Sequence, residues 1–132
     1  MNATTKTNKS AADLREELAF YAGAAARDYK NAKEKLLARV QTNPADAVVW
    51  NAEEMVAAQT VHEAWMRISA ELEGHDPREV LRENINEVAH RVRMFFGSNS
   101  TSMFSNAVER ARANASVRLV EDLERIGKSY GI

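Results

Sequence analysis

The side chains able to do chemistry in this 132-residue chain are three histidines, many carboxylates and a set of arginines, with no cysteine. The missing cysteine removes a thiol nucleophile, a Cys-based zinc site and a disulfide framework together, and fits a reducing compartment. Glu87-Val88-Ala89-His90 has the spacing with which one helix offers a carboxylate and an imidazole to the same metal ion. That chemistry needs both side chains on the inward face. At about 100° per residue, His90 falls about 170° and Glu87 about 130° from the apolar stripe around them, on the wet side. The nearest second copy, Gln59-x-x-His62, has an amide where a carboxylate is needed. No metal and no other cofactor is expected.

Gly127-Lys128-Ser129 looks like the end of a phosphate-binding loop, but Asp122 stands where the first glycine should be. The segment also follows a helix instead of joining a strand to one, so it reads as a helix stop. Arg67/His75 and Arg82/His90 are one residue too far apart for the arginine–histidine spacing of helical-bundle ribonucleases. His62 interrupts an apolar face and reads as a partly buried, hydrogen-bonded structural residue. No serine or threonine has a base close to it in any arrangement the pattern implies, and the scattered carboxylates name no acid–base pair. The chain is expected not to be an enzyme.

The elements that position these residues are helices. Only two prolines and five glycines occur, and alanine is abundant. Residues 1–9 read as a disordered polar leader without a signal-peptide core. A first helix is expected after Ser10, its stripe running Leu14, Leu18, Tyr21, Ala25, Tyr29, Ala32, Leu36 and Val40 within about 80° of arc. Asn43 caps a second helix that opens on Pro44 and is stopped by Gly74. Asp76-Pro77-Arg78-Glu79 starts a third, with Leu81, Ile85, Val88, Val92 and Phe95/Phe96 as its stripe and Gly97 as its end. After a polar loop, Phe104, Val108, Ala111, Ala115, Leu119, Leu123 and Ile126 build the fourth, ended by Gly127. Short connections make consecutive helices antiparallel. The predicted fold is all-α: a four-helix antiparallel bundle made of two helical hairpins, a single domain over 10–127 with a short tail, 128–132. Basic residues late in helix one (Arg27, Lys30, Lys33, Lys35, Arg39) facing acidic ones in helix two fit such a hairpin.

Helix two is the anomaly. Val48, Ala52, Met55, Val56 and Met66 line one side, and Trp50, Ala57, Val61, Trp65, Ile68 and Leu72 line another, about 150–180° away. Two apolar sides imply a helix enclosed by neighbours, or a helix with one side kept for docking. The predicted partner or dimer interface is Trp50, Val61, Trp65, Ile68 and Leu72. Length supports it: at about 1.5 Å per residue the third helix is too short to cover the first two, unless helix one breaks near Gly23. A second candidate surface is Met94, Phe95, Phe96, Met103 and Phe104, a Met/Phe cluster beside the polar loop.

Net charge is −1, so nothing global attracts nucleic acid or anionic lipid. Arg110, Arg112, Arg118 and Arg125 on helix four are balanced by Glu109, Glu121, Asp122 and Glu124. Arg91 and Arg93 suit the end of helix three. No apolar run nears the roughly 18 residues of a membrane span, and a cytoplasmic location is expected. The functional expectation is a non-catalytic protein-interaction module (adaptor, inhibitor or assembly component). Its size and composition match phage and mobile-element accessory proteins. It would self-associate as a homodimer through helix two or bind another protein. The alternative is a nucleic-acid-associated regulatory protein using the arginines of helices three and four.

Overall fold

The computed structural model describes residues 10–97 and 107–132, and all regular structure among them is helical. Helix α1 spans Ala11–Thr42. Its start is fixed by a reciprocal cap: the Asp13 N–H donates to Ser10 Oγ at 3.1 Å, and the Ser10 N–H donates to Asp13 Oδ2 at 3.2 Å. Such a box stabilises a helix by about 1 kcal/mol. The helix runs through Gly23 without a break, so at about 1.5 Å per residue its 32 residues reach roughly 48 Å.

Helix α2 covers 44–72 in three stretches: Pro44–Asp46, a π-helical turn Ala47–Asn51, and Ala52–Leu72. Asn43 caps it, accepting from the Asp46 N–H at 3.3 Å, with Pro44 in the first position. Gly74, at φ +74°, lets the chain leave at the other end. Helix α3 spans Pro77–Gly97 and helix α4 spans Ala107–Ser129. The α3 start is capped by Asp76 Oδ1, which accepts from the Arg78 N–H at 3.2 Å.

Helix α4 does not stop at Gly127. It continues to Ser129 and ends on Gly131, whose φ of +75° is open to glycine and strained for other residues. The Ile132 N–H donates back to the Gly127 carbonyl at 2.8 Å and the Gly131 N–H to that of Lys128 at 3.3 Å, the paired bonds of a Schellman end. Gly127 serves a different purpose. A Cβ there would lie 3.2 Å from Ile85 Cδ1, so the glycine lets α3 and α4 approach closely. Residues 128–132, read from sequence as a tail, therefore close the fold, and Tyr130 is buried.

Helix α2 packs on both α1 and α4, and α4 packs on α3, whereas α1 and α4 hardly meet. Being flanked on two sides is why α2 is apolar on two sides. Contacts climb α1 as they descend α2: Arg15 with Leu72, Tyr21 with Trp65, Tyr29 with His62, Lys35 with Glu54. Gly127 lies against Ile85, and the Arg78 guanidinium donates to the Tyr130 carbonyl at 2.7 Å, so the start of α3 meets the end of α4. The core is built from Leu14, Leu18, Trp65, Ile68, Leu81, Val88, Leu119, Leu123 and Ile126. Each fully buried Leu or Ile contributes about 1.5–3 kcal/mol.

Candidate functional site: an apolar end and the groove beside it

The predicted interface on helix two divides in half. Trp65 (3% exposed), Ile68 (0%) and Leu72 (8%) lie inside the protomer, Trp65 stacked on Tyr21 with ring centroids 5.8 Å apart. These three are core, not docking surface, because α1 covers them. Trp50, on the same stripe, is 70% exposed. Val61 lies between the two extremes, half-buried, at the wall of a groove. One continuous apolar stripe thus begins as core and ends in the open.

The groove explains the change. Because α1 and α4 hardly meet, the middle of the stripe is left uncovered as a cleft of about 490 Å³, lined by Ala25, Ala32, Ala57, Ala58 and Ala115. Lys35, Glu54 and Arg118 stand at its edges. Lys35 and Glu54 pair across the α1–α2 seam at 3.3 Å, both about half exposed, so the pair adds little stability.

Beyond the groove, α1 overhangs the shorter pair of helices. From residue 33 to residue 45 every side chain but Leu36 is exposed, including Leu37 and Val40. Val48, Val49 and Trp50 face solvent on the π turn beside them. Met94 and Phe96, near the end of α3, and Val108, in the first turn of α4, are exposed at the same end, where Arg110 joins Glu53 at 3.1 Å. Among the described residues, the large exposed apolar side chains apart from Phe20 and Met66 all gather here. Phe95 is half-buried, and Met103 and Phe104 of the second predicted cluster lie outside the described residues.

The buried positions of α2 at this end are Ala47, Asn51 and Val56. Their last step is five residues, the mark of the residue a π turn inserts. Asn51 is buried with no hydrogen-bond donor for its Oδ1 among the described residues.

The polar candidates are scattered. His90 and Glu87 are exposed, Glu87 in an ion pair with Arg91 at 2.7 Å. His75 sits in the exposed turn between α2 and α3. His62 is half-buried as its position suggested, but its ring stacks on Tyr29 at 5.2 Å and its Nδ1 has no hydrogen-bond partner among the described residues. Among the described residues no three His, Asp or Glu side chains converge on a point that could hold a metal ion. No described helix is long and apolar enough to cross a membrane. Of the arginines that could face nucleic acid, Arg91, Arg110 and Arg125 are engaged with Glu87, Glu53 and Asp122. The nearby Tyr21 hydroxyl, then Asp122, hold the Arg125 guanidinium above its ordinary pKa.

Sequence reasoning missed the patch formed by Leu37, Val40, Val48 and Val49. One signal was present: three consecutive apolar residues, Val48-Val49-Trp50, sweep about 200° of a helix, so a single neighbour cannot cover them all. Comparison of the chain with family models, curated proteins and solved structures found no match.

Proposed function

We propose that the chain is a non-catalytic interaction module that pairs with a second copy of itself through the open end of α2. The fold reading behind this is a bundle of two antiparallel hairpins, α1–α2 and α3–α4, in which the longer hairpin outreaches the shorter. The observation that carries the proposal is the gathering of Leu37, Val40, Val48, Val49 and Trp50, all exposed, at one end of the molecule. Contiguous apolar surface of this kind marks interfaces, and tryptophan is enriched at their centres. The π turn beneath it is a second support, since such turns recur at functional sites.

An apolar surface can serve as its own partner, which favours a second copy as the occupant. The charges beside the patch are largely met within the protomer, Lys35 by Glu54 at 3.3 Å and Glu53 by Arg110 at 3.1 Å, so a partner would meet mainly apolar surface. A two-fold axis through the patch would lay Trp50 and the valines of one copy on those of the other, the same surface serving both partners. A cytoplasmic adaptor, inhibitor or assembly role remains the reading that fits such a module. Sedimentation velocity over a range of concentrations tests it. A dimer that Trp50→Ala with Val48→Asp dissociates, at unchanged helicity, supports the proposal. A monomer at every concentration refutes it.

A further inference from the structure

A second cleft, distinct from the groove, opens between α2, α3 and α4 with a volume of about 360 Å³. Three arginines, one from each of the three helices, line it: Arg67, Arg91 and Arg112. Its apolar lining is Ala64, Val88, Leu119 and Phe95.

Arg67 is the unusual member. It is only partly exposed, and its Nε–H is buried with no acceptor among the described residues. A guanidinium cannot escape this by losing its proton. A permanent charge is thus held against apolar side chains with a donor unused, an arrangement that an anion in the cleft would complete. The Arg112 guanidinium likewise meets no carboxylate among the described residues. Arg91 spends one nitrogen, Nη2, on Glu87 and keeps others for a ligand. Glu63 is an opposing charge. It also lines the cleft, but it is exposed and receives the Gln59 amide at 3.1 Å. Three positive groups against Glu63 and the Glu87 carboxylate that Arg91 holds leave the cleft with a net positive charge.

We infer that this cleft binds a phosphate monoester carried on an apolar or aromatic body of mononucleotide size. Three arginines contributed by three helices suit a tetrahedral dianion better than a planar carboxylate, whose two oxygens one arginine can satisfy. The apolar lining, Phe95 included, would take the body of the molecule. Thr60 and Ser116 also line the cleft, and both hydroxyls donate to backbone carbonyls, at 2.8 and 2.9 Å. Their oxygens are left to accept from a ligand N–H or O–H. The volume lies at the small end of the range for ligand pockets, about 300–1,000 Å³, which excludes bulky ligands.

Calorimetric titration of the full chain with adenosine monophosphate, adenosine and inorganic phosphate tests the inference. The monophosphate binds at least about tenfold more tightly than either fragment, because the two halves of the site act together. Arg112→Gln and Arg67→Met each weaken it by about tenfold or more, while Arg118→Gln, outside the cleft, leaves it unchanged. Arg112 is exposed, so its variant reports binding even if Arg67→Met does not fold. Equal binding of all three probes, no binding, or wild-type affinity in Arg112→Gln would overturn the inference. Binding of a single-stranded oligonucleotide without the mononucleotide would do so in favour of nucleic acid. Solution mass is a separate readout, so this site and the proposed dimer surface can fail independently.

Discussion

The two ends of this molecule solve the same problem in opposite ways. At one end, the starts of α1 and α3 meet the ends of α2 and α4, and every terminus is tied down. Arg15 donates to the carbonyls of Leu72 and His75, Arg78 to that of Tyr130, and Gly131 turns the chain back so that Ile132 meets Gly127. Tyr130 is buried beside them. At the other end, α1 and α2 outrun their neighbours, α2 carries a π turn, and tryptophan and valine face water. The same apolar stripe of α2 passes through both. What it does is decided by which helices lie over it, not by its composition.

The contrast is broken or sharpened most strongly by substitutions along that stripe. Ile68→Ala should cost about 2–5 kcal/mol, since it opens a cavity in the closed end. Trp50→Ala should change the stability of the protomer by less than about 0.5 kcal/mol, as exposed side chains generally do. Urea unfolding at low protein concentration, where self-association is absent, measures both. A similar loss in both variants would mean that the two ends do not differ.

A smaller effect probes the closed end alone. Burial, then a hydrogen bond to Glu17 and the nearby carboxylates of Glu17, Asp13 and Glu16, push the Tyr130 phenol above its ordinary pKa. The folded state therefore favours the neutral phenol. This contribution to stability is complete below about pH 10, where the unfolded chain titrates, and is lost as pH climbs towards the raised folded value. Tyr130→Phe should cost about 1 kcal/mol at neutral pH through the lost hydrogen bond. It should also flatten the fall in urea midpoint above about pH 10. An alkaline fall as steep in the variant as in the wild type would show that Tyr130 is not what seals this end.

Most of the helical framework was legible in the sequence because it depends on local signals. Ser10, Asn43 and Asp76 cap helices where their positions indicate, and the stripes of α1, α3 and α4 are read correctly through most of their length. The α1 stripe fades at Val40 because no other described helix covers it there, a fact about neighbours and not about α1. Gly127 misled for a related reason. A glycine near a helix end suggests a stop, but here the residue makes room for Ile85, a contact distant in sequence. The division of the α2 stripe was likewise out of reach, since periodicity places Trp50 and Ile68 on one face without saying which part is covered. The π turn is invisible to a constant rotation per residue. The Arg67–Arg91–Arg112 cleft draws one residue from each of three helices, so no spacing announces it.

The central claim is that the open end of α2 becomes covered when two copies meet, and Trp50 can report this itself. In a Trp65→Phe variant, which keeps an aromatic ring against Tyr21, Trp50 is the sole tryptophan. Its emission and acrylamide quenching, followed from micromolar to millimolar protein, measure its exposure directly. The account predicts a blue shift and falling quenching as concentration rises, in step with the sedimenting mass. Emission and quenching that stay those of an exposed indole throughout would contradict it.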